Sequence, residues 1–143
     1  MARISKDQMY MNMARELSQR SSCERLKVGA LIVKDEQIIS EGYNGTPWGW
    51  HTNDCEDDDG NTKDIVPHAE KNAITKLAKT GGPGAEGATL YCTHSCCFQC
   101  AIMIYQTGID RFVYAKPYRK DRGLEFLRKG GVEVEELGSR DSI

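Results

Sequence analysis

The feature that most restricts the fold of this chain is a pair of short motifs, each placed at the start of a predicted helix. His68-Ala69-Glu70 follows Pro67, and Cys97-Phe98-Gln99-Cys100 follows a predicted strand. Cysteines three residues apart lie on the same side of a helical turn, so both sulfur atoms can reach one metal ion. The free N–H groups at a helix amino terminus also stabilise thiolate. We therefore expect a fold that brings these two helix starts together.

These residues predict a zinc site with an open coordination position. Three protein ligands, His68, Cys97 and Cys100, leave the fourth position of a tetrahedral zinc ion for water, as in catalytic sites. A histidine and a glutamate two residues apart, followed by two cysteines three residues apart, form the signature of zinc-dependent deaminases. In that signature the glutamate is not a ligand. We predict Glu70 as the group that moves protons beside the metal.

Two other interpretations of the same residues stay open. A structural zinc site would need a fourth ligand, which would come from Cys92, His94 or Cys96. Cys96 is so close to Cys97 in the chain that joint binding would be strained. A thioredoxin-like redox role for the two motif cysteines would leave the histidine and glutamate of the other motif without a purpose. Both interpretations explain fewer of the residues than a catalytic site does.

Length and composition predict one globular domain spanning residues 1–143, with 39% hydrophobic and 28% charged residues. The net charge of -2 shows no basic excess, which weighs against a polymeric nucleic acid as partner. Met1 to Tyr10 is polar and lacks the apolar segment of a signal peptide or a membrane span, so we expect a cytoplasmic protein. Six cysteines in such a chain favour metal ligands over disulfides.

Hydrophobic periodicity and turn residues predict four helices and five strands in the order α-β-β-α-β-α-β-α-β. The helices are predicted near 5–20, 68–79, 97–107 and 123–129, and the strands near 28–34, 37–43, 88–92, 111–115 and 132–137. A tight turn is predicted at Asp35–Glu36, and a long polar loop from Gly42 to about Pro67. This order predicts an α/β fold, a three-layer α-β-α sandwich with a mixed five-stranded sheet. Right-handed crossovers should place both motif-bearing helices on one face.

The chain also resembles the cytidine deaminase superfamily, and within it the deoxycytidylate (dCMP) deaminases. The resemblance is carried by SCERLKVGA at 22–30, GYNGTP at 42–47, HAEKNAI at 68–74, EGATLY at 86–91, Val113-Tyr114 and Pro117-Tyr118. The family usually has proline where this chain has Cys96. Proline preorganises a first helical turn without being a ligand. We assign Cys97 and Cys100 as ligands because, as in the family motif, two residues lie between them.

The resemblance implies a cytidine deaminase-like fold and the hydrolytic deamination of dCMP to dUMP and ammonia, which would supply dUMP for thymidylate synthesis. In this reaction zinc activates a water molecule, and Glu70 carries the proton of that water to N3 of the pyrimidine. Glu70 then carries a second proton to the departing amine. Alternatives are another target, such as dCTP, guanine or a base in RNA, and a non-catalytic zinc-binding module. The presence of Glu70 argues against the last alternative.

The resemblance also implies substrate contacts. Asn44 is the expected partner of the deoxyribose 3′-hydroxyl, although asparagine beside glycine also suits a left-handed turn. Candidates for the sugar and phosphate lie near the first strand, in the first motif and after the fourth strand: Ser22, Lys27, Ala69, Tyr118, Arg119 and Lys120.

Further implications concern assembly and regulation. Members of the family are hexamers activated by dCTP with Mg²⁺ and inhibited by dTTP at one allosteric site, which matches Gly42, Asn44, Gly45 and Trp48 here. Trp48 and Trp50 could instead pack at a subunit interface. Some phage members carry a second zinc ion. Its candidate ligands here are Cys23, His51 and Cys55, with free buried thiols as the alternative interpretation.

Overall fold

The computed structural model describes residues 3–138, and its helices and strands follow the predicted order. The helices are α1 (Lys6–Ser18), α2 (Ala69–Thr80), α3 (Phe98–Gln106) and α4 (Arg122–Lys129). The strands are β1 (Gly29–Lys34), β2 (Gln37–Tyr43), β3 (Thr89–His94), β4 (Arg111–Lys116) and β5 (Glu133–Glu136). The predicted ends therefore lie within two residues of the observed ones.

The strands form one mixed sheet in the order β2-β1-β3-β4-β5. β1 pairs antiparallel with β2 and with β3, whereas β3, β4 and β5 are parallel. The β1–β2 connection is the predicted tight turn, in which Asp35 and Glu36 have φ of 51° and 62°. Two consecutive left-handed residues give a hairpin turn whose twist matches that of the strands. The predicted mixed sheet of five strands is confirmed.

Alternate residues of the strands enter two separate cores, as a pleated strand requires. On one face Leu31 and Val33 pack with Met11 and Ala14 of α1. On the other face the intervening Ile32 packs in a larger core with residues of α2, α3 and α4. The structure is thus the predicted α-β-α sandwich, with one helix on one face and three on the other. Both motif-bearing helices lie on the same face.

Asp7 attaches α1 to the sheet. Its carboxylate accepts two hydrogen bonds from the Arg111 guanidinium, at 2.9 and 2.7 Å, and one from the Tyr91 hydroxyl. Arg111 also pairs with Glu133 and Glu135 of β5. The hydrogen bonds from Arg111 are the main reason that the pKa of Asp7 lies below its ordinary value. This network joins the first helix to the last strands of the sheet.

Within residues 3–138, no helix has the length and apolar character needed to cross a membrane.

Candidate active site

The two motifs meet at adjacent helix starts. His68 is the N-cap of α2 and Cys97 is the N-cap of α3, both in extended backbone conformation, and Cys100 lies in the first turn of α3. The His68 Nδ1 atom is 3.6 Å from Cys97 Sγ and 3.3 Å from Cys100 Sγ. In the part of the chain that the structure describes, these residues form the only cluster of three or more potential metal ligands of the His, Cys, Asp or Glu type.

The spacing of the three ligand atoms fits one zinc ion. Tetrahedral zinc with ordinary Zn–S and Zn–N bond lengths separates a nitrogen from a sulfur ligand by about 3.6 Å. The two measured N–S distances lie close to that value. One imidazole and two thiolates are also ligands that zinc prefers. Since His68 is exposed and Cys97 only half-buried, a fourth ligand can enter from solvent.

Hydrogen bonds at the first turn of α3 favour the thiolate form of Cys97, which binds cations. The Cys97 sulfur accepts a hydrogen bond from the Cys100 backbone N–H at 3.4 Å, which caps the helix. A hydrogen bond from the Cys100 thiol, followed by one from His68, lowers the pKa of Cys97. The same bond raises the pKa of Cys100. Zinc binds cysteines as thiolates, so a bound ion would displace any proton that remains on the two sulfur atoms.

Glu70 lies beside the metal ligands in the first turn of α2 and is only 3% exposed. Burial raises its pKa above the ordinary value for glutamate. The Cys92 thiol also forms a hydrogen bond with this carboxyl group. A buried carboxyl group with a raised pKa can both accept and donate a proton nearer neutral pH. The arrangement suits Glu70 for the predicted proton transfers.

A cavity of about 340 Å³ adjoins this cluster. Of the predicted site residues, it is lined by His68, Ala69, Glu70, Cys97, Asn44, Tyr118 and Arg119. Residues that the sequence reasoning missed also line it, among them Arg25, Leu26, Val28, Thr62, Val66, His94 and Ser95. The cavity thus combines two of the three predicted metal ligands, His68 and Cys97, and the buried carboxyl group with two arginines.

Three of the predicted substrate residues lie elsewhere. The Lys27 ammonium donates a hydrogen bond to the Ser21 carbonyl at 2.6 Å, and neither Lys27 nor Lys120 lines the cavity that contains Glu70. Ser22 lines a separate, acidic cavity of about 530 Å³. Arg25, which the sequence analysis did not single out, lines the cavity that contains Glu70. Arg25 and Lys27 are both basic and precede β1, so the sequence offers no signal that distinguishes them.

Asn44 has a structural role that the sequence reasoning did not identify. Its side-chain carbonyl accepts a hydrogen bond from the Val28 N–H at 2.8 Å, and its amide donates to the Leu26 carbonyl at 2.7 Å. Asp35 and Glu36 are the only non-glycine residues with positive φ in the described part of the chain. Asn44 is therefore not left-handed, and the turn explanation for it is wrong. The side chain ties the segment before β1 to the end of β2.

The hypothesis of a second zinc ion at Cys23, His51 and Cys55 is wrong in this structure. Cys23 and Cys55 form a disulfide, so their sulfur atoms are not available as thiolate ligands. The alternative of free thiols is wrong for the same reason. His51 is exposed. The expectation of metal ligands rather than disulfides therefore holds for Cys97 and Cys100 but not for this pair.

Comparison with known proteins agrees with this geometry. Residues 4–116 match the family described as the cytidine and deoxycytidylate deaminase zinc-binding region. The chain belongs to this deaminase family. The match includes His68, Glu70 and both motif cysteines.

Named relatives of this deaminase align over most of its length. It is 41% identical over 145 residues to ComE operon protein 2 of Bacillus subtilis (strain 168), covering 96% of this chain and 74% of that protein. It is 36% identical over 129 residues to the deoxycytidylate deaminase of Mycobacterium phage D29, covering 81% of this chain and 98% of that protein.

A solved structure shares both the fold and much of the sequence. The crystal structure of dCMP deaminase from the cyanophage S-TIM5, in complex with dCMP and dUMP, has a TM-score of 0.89 and 44% sequence identity to this deaminase. The similarity covers 94% of this chain and 100% of that chain. The predicted fold class and family are confirmed.

Proposed function

We propose that this deaminase converts dCMP to dUMP and ammonia by zinc-dependent hydrolysis. The observation that carries the proposal is the buried Glu70 carboxyl group beside a cluster of one histidine and two cysteine ligands, next to a cavity that is also lined by two arginines. The relatives named deoxycytidylate deaminase support the same substrate. The product dUMP would supply thymidylate synthesis. The protein would act in the cytoplasm.

Each residue of the site has a separate role in the proposed deamination. Zinc held by His68, Cys97 and Cys100 would supply an activated water molecule for attack on C4 of the pyrimidine. Glu70 would take a proton from that water and pass it to N3. It would then take the remaining proton of the hydroxyl group added at C4 and deliver it to the departing amine. One carboxyl group can do both because burial has moved its pKa towards the working pH. Asn44 would remain the contact for the deoxyribose 3′-hydroxyl.

Two arginines at the cavity provide a site for the 5′-phosphate. Arg25 comes from the segment before β1, and Arg119 comes from the segment after β4. A guanidinium group presents several N–H donors in a plane and binds phosphate oxygens in pairs. We expect these two residues to favour a nucleotide over a nucleoside. Tyr118 lies next to Arg119 in the same cavity and is a candidate for the sugar.

The test of the activity follows the ultraviolet absorbance of purified protein mixed with dCMP, deoxycytidine, CMP or dCTP. We expect turnover of dCMP, loss of turnover after treatment with a zinc chelator, and recovery on adding zinc. Preferred turnover of dCTP would support the alternative nucleotide substrate. No turnover of any of the four compounds by zinc-loaded protein would contradict the proposal.

A matched pair of variants tests the phosphate site. Arg119→Ala removes a basic residue that lines the cavity. Lys120→Ala removes the neighbouring basic residue, which does not line the cavity. We expect Arg119→Ala to lower kcat/KM for dCMP by about 10–100-fold, the loss of one to two charge-assisted hydrogen bonds. The kcat/KM for deoxycytidine should change little. Equal losses in the two variants would contradict the assignment.

We also propose a regulatory site for dCTP with Mg²⁺ and for dTTP at a second cavity, of about 690 Å³. Its lining includes three of the four predicted allosteric residues, namely Gly42, Gly45 and Trp48, together with Lys76 and Lys79. The Lys79 ammonium lies 3.5 Å from the centre of the Trp48 ring. Two lysines and an indole suit a triphosphate and a base. Asn44 lines the substrate cavity instead.

Titration with dTTP tests this regulatory proposal. We expect dTTP to lower the rate of the wild-type protein and to have less effect on Lys79→Ala. Lys129→Ala, which removes an exposed lysine from α4, is the control. A wild-type rate that does not respond to dTTP would remove the proposal.

For assembly we propose the family's hexamer. Trp48 is 89% exposed and Trp50 is 46% exposed, and such aromatic surface is enriched at subunit interfaces. Sedimentation equilibrium measures the assembly directly. A monomer at micromolar concentration would contradict it.

A further inference from the structure

Gly123 makes the closest contact between α4 and the metal-binding segment. It is buried in the first turn of α4 and faces the backbone of Cys97, which begins the second motif, and of the preceding Cys96. A Cβ atom at this position would lie 2.8 Å from the Cys96 carbonyl oxygen and 3.0 Å from that of Cys97. Both neighbours are backbone atoms, which cannot rotate away as a flexible side chain can. The contact therefore depends on the absence of a side chain at residue 123.

The Cys97 carbonyl that Gly123 touches also belongs to the metal site's own helix cap. It accepts the first backbone hydrogen bond of α3, from the Ala101 N–H at 3.0 Å. The Cys97 side chain supplies one predicted ligand and caps the Cys100 N–H. A displacement of this carbonyl would therefore move both ligand sulfur atoms relative to His68 on the other helix.

Contacts between α3 and α4 prevent α4 from simply moving away. The Arg122 guanidinium lies 3.7 Å from the centre of the Phe98 ring. Phe98 and Phe126 pack edge to face, with ring centres 5.7 Å apart. Leu124 and Leu127 are buried in the same core as Cys96 and Cys100. An added methyl group at residue 123 would therefore be accommodated partly by movement of the metal-binding segment.

We propose that Gly123 is a positioning residue for the zinc site. Because this residue has no side chain, α4 packs directly on the Cys96–Cys97 backbone, and this contact sets the distance between the two sulfur ligands and His68. The proposal concerns the metal site and does not depend on the identity of the substrate. Helix propensity predicts that Gly123→Ala stabilises α4, since alanine favours a helix more than glycine does. The proposal predicts instead that this substitution weakens metal binding. Loss of metal affinity without loss of α4 would therefore identify positioning.

The experiment adds Co²⁺ to metal-free protein and follows the visible absorption of cobalt bound to thiolate, while a competing chelator measures the Zn²⁺ affinity. We expect Gly123→Ala to weaken Zn²⁺ binding by about 10–100-fold, the range for residues that orient metal ligands, and to alter the cobalt spectrum. Circular dichroism checks that the helices are retained. Wild-type affinity with a wild-type spectrum would overturn the proposal.

Gly130→Ala is the matched control, because it adds the same methyl group at the other end of α4. There the Cβ atom would meet the Tyr105 ring at 2.7 Å, and that side chain is 45% exposed and can move. We expect unchanged zinc affinity and spectrum. An equal loss of affinity in this control would overturn the proposal, because any disturbance of α4 would then act in the same way.

A double variant covers the case in which Gly123→Ala does not fold. Phe126→Leu shortens the ring that packs on Phe98 and gives α4 room to withdraw. In the Gly123→Ala/Phe126→Leu protein α4 can withdraw, so its direct contact no longer holds the Cys96–Cys97 backbone in place. Recovered folding with zinc binding weaker than in Phe126→Leu alone supports the proposal. Recovered folding with full zinc affinity contradicts it.

Discussion

Replacement of Glu70 by glutamine separates proton transfer from folding and from metal binding. The side chain is 3% exposed and contacts the Cys92 thiol in the core beneath α2. Glutamine has nearly the same shape and can keep a hydrogen bond there, but it cannot exchange a proton. The three predicted metal ligands are left untouched.

The expected magnitudes differ greatly between catalysis and stability. A carboxylate in the first turn of a helix is favoured by about 0.3–1 kcal/mol through the helix dipole. Burial opposes this by disfavouring the charged form, which is why the pKa of Glu70 is raised. The free energy of unfolding should therefore change by less than about 1 kcal/mol. Loss of general acid–base catalysis lowers kcat by about 10²–10⁴-fold, or about 3–5 kcal/mol of barrier.

The assay compares Glu70→Gln with Glu125→Gln, which alters another glutamate in the first turn of a helix, far from the motifs in sequence. Deamination of dCMP is followed by ultraviolet absorbance, zinc content by atomic emission, and stability by thermal unfolding. We expect Glu70→Gln to keep its zinc and its melting temperature while losing turnover. Activity within about tenfold of wild type would refute the assigned role of Glu70. Loss of zinc from this variant would show that Glu70 supports the metal directly.

Three further variants test the metal site, the α2 packing and the α1 anchor. Cys100→Ala should lose zinc and turnover together, and a full zinc content by atomic emission would contradict its assignment as a ligand. Gly42→Ala would place a Cβ atom 2.7 Å from the Ala69 carbonyl oxygen in α2, so we expect a loss of about 1–3 kcal/mol in chemical denaturation; unchanged stability would contradict the close contact. Asp7→Asn should lower the free energy of unfolding by roughly 1–3 kcal/mol at pH 7. Because the folded-state pKa of Asp7 lies below its ordinary 3.8, its contribution is present above that value and is lost as pH falls through the folded pKa. The wild-type and variant stabilities should therefore converge in acid, and a constant difference would contradict the ion pair with Arg111.

The helices and strands could be predicted because short-range patterns specify them. Glycine and proline end the elements, apolar spacing distinguishes helix from strand, and each motif begins a helix. Asp35 and Glu36 could be placed in a turn for the same reason. Such patterns also placed Cys97 and Cys100 three residues apart on one helical turn, where both can face one ion.

The choice among basic residues could not be made in this way. Arg25 and Lys27 both precede β1, yet Arg25 lines the cavity that contains Glu70, and Lys27 donates a hydrogen bond to the Ser21 carbonyl. The directions of side chains in an irregular segment depend on what packs against it. The disulfide between Cys23 and Cys55 joins residues that are 32 apart in the chain and could not be inferred from their spacing.

The amino-acid sequence alone was sufficient to identify the family and to predict the ligand types and the shuttle carboxylate, because these depend on residue identity and on spacing within one helical turn. The separation of His68 from the two sulfur atoms, at 3.3 and 3.6 Å, depends instead on how α2 and α3 pack on one face of the sheet. The contact of Gly123 with the Cys96 carbonyl depends on that packing as well. Spacing along the chain determines where a side chain points on its own helix, whereas only the packed core determines how far two helices stand apart.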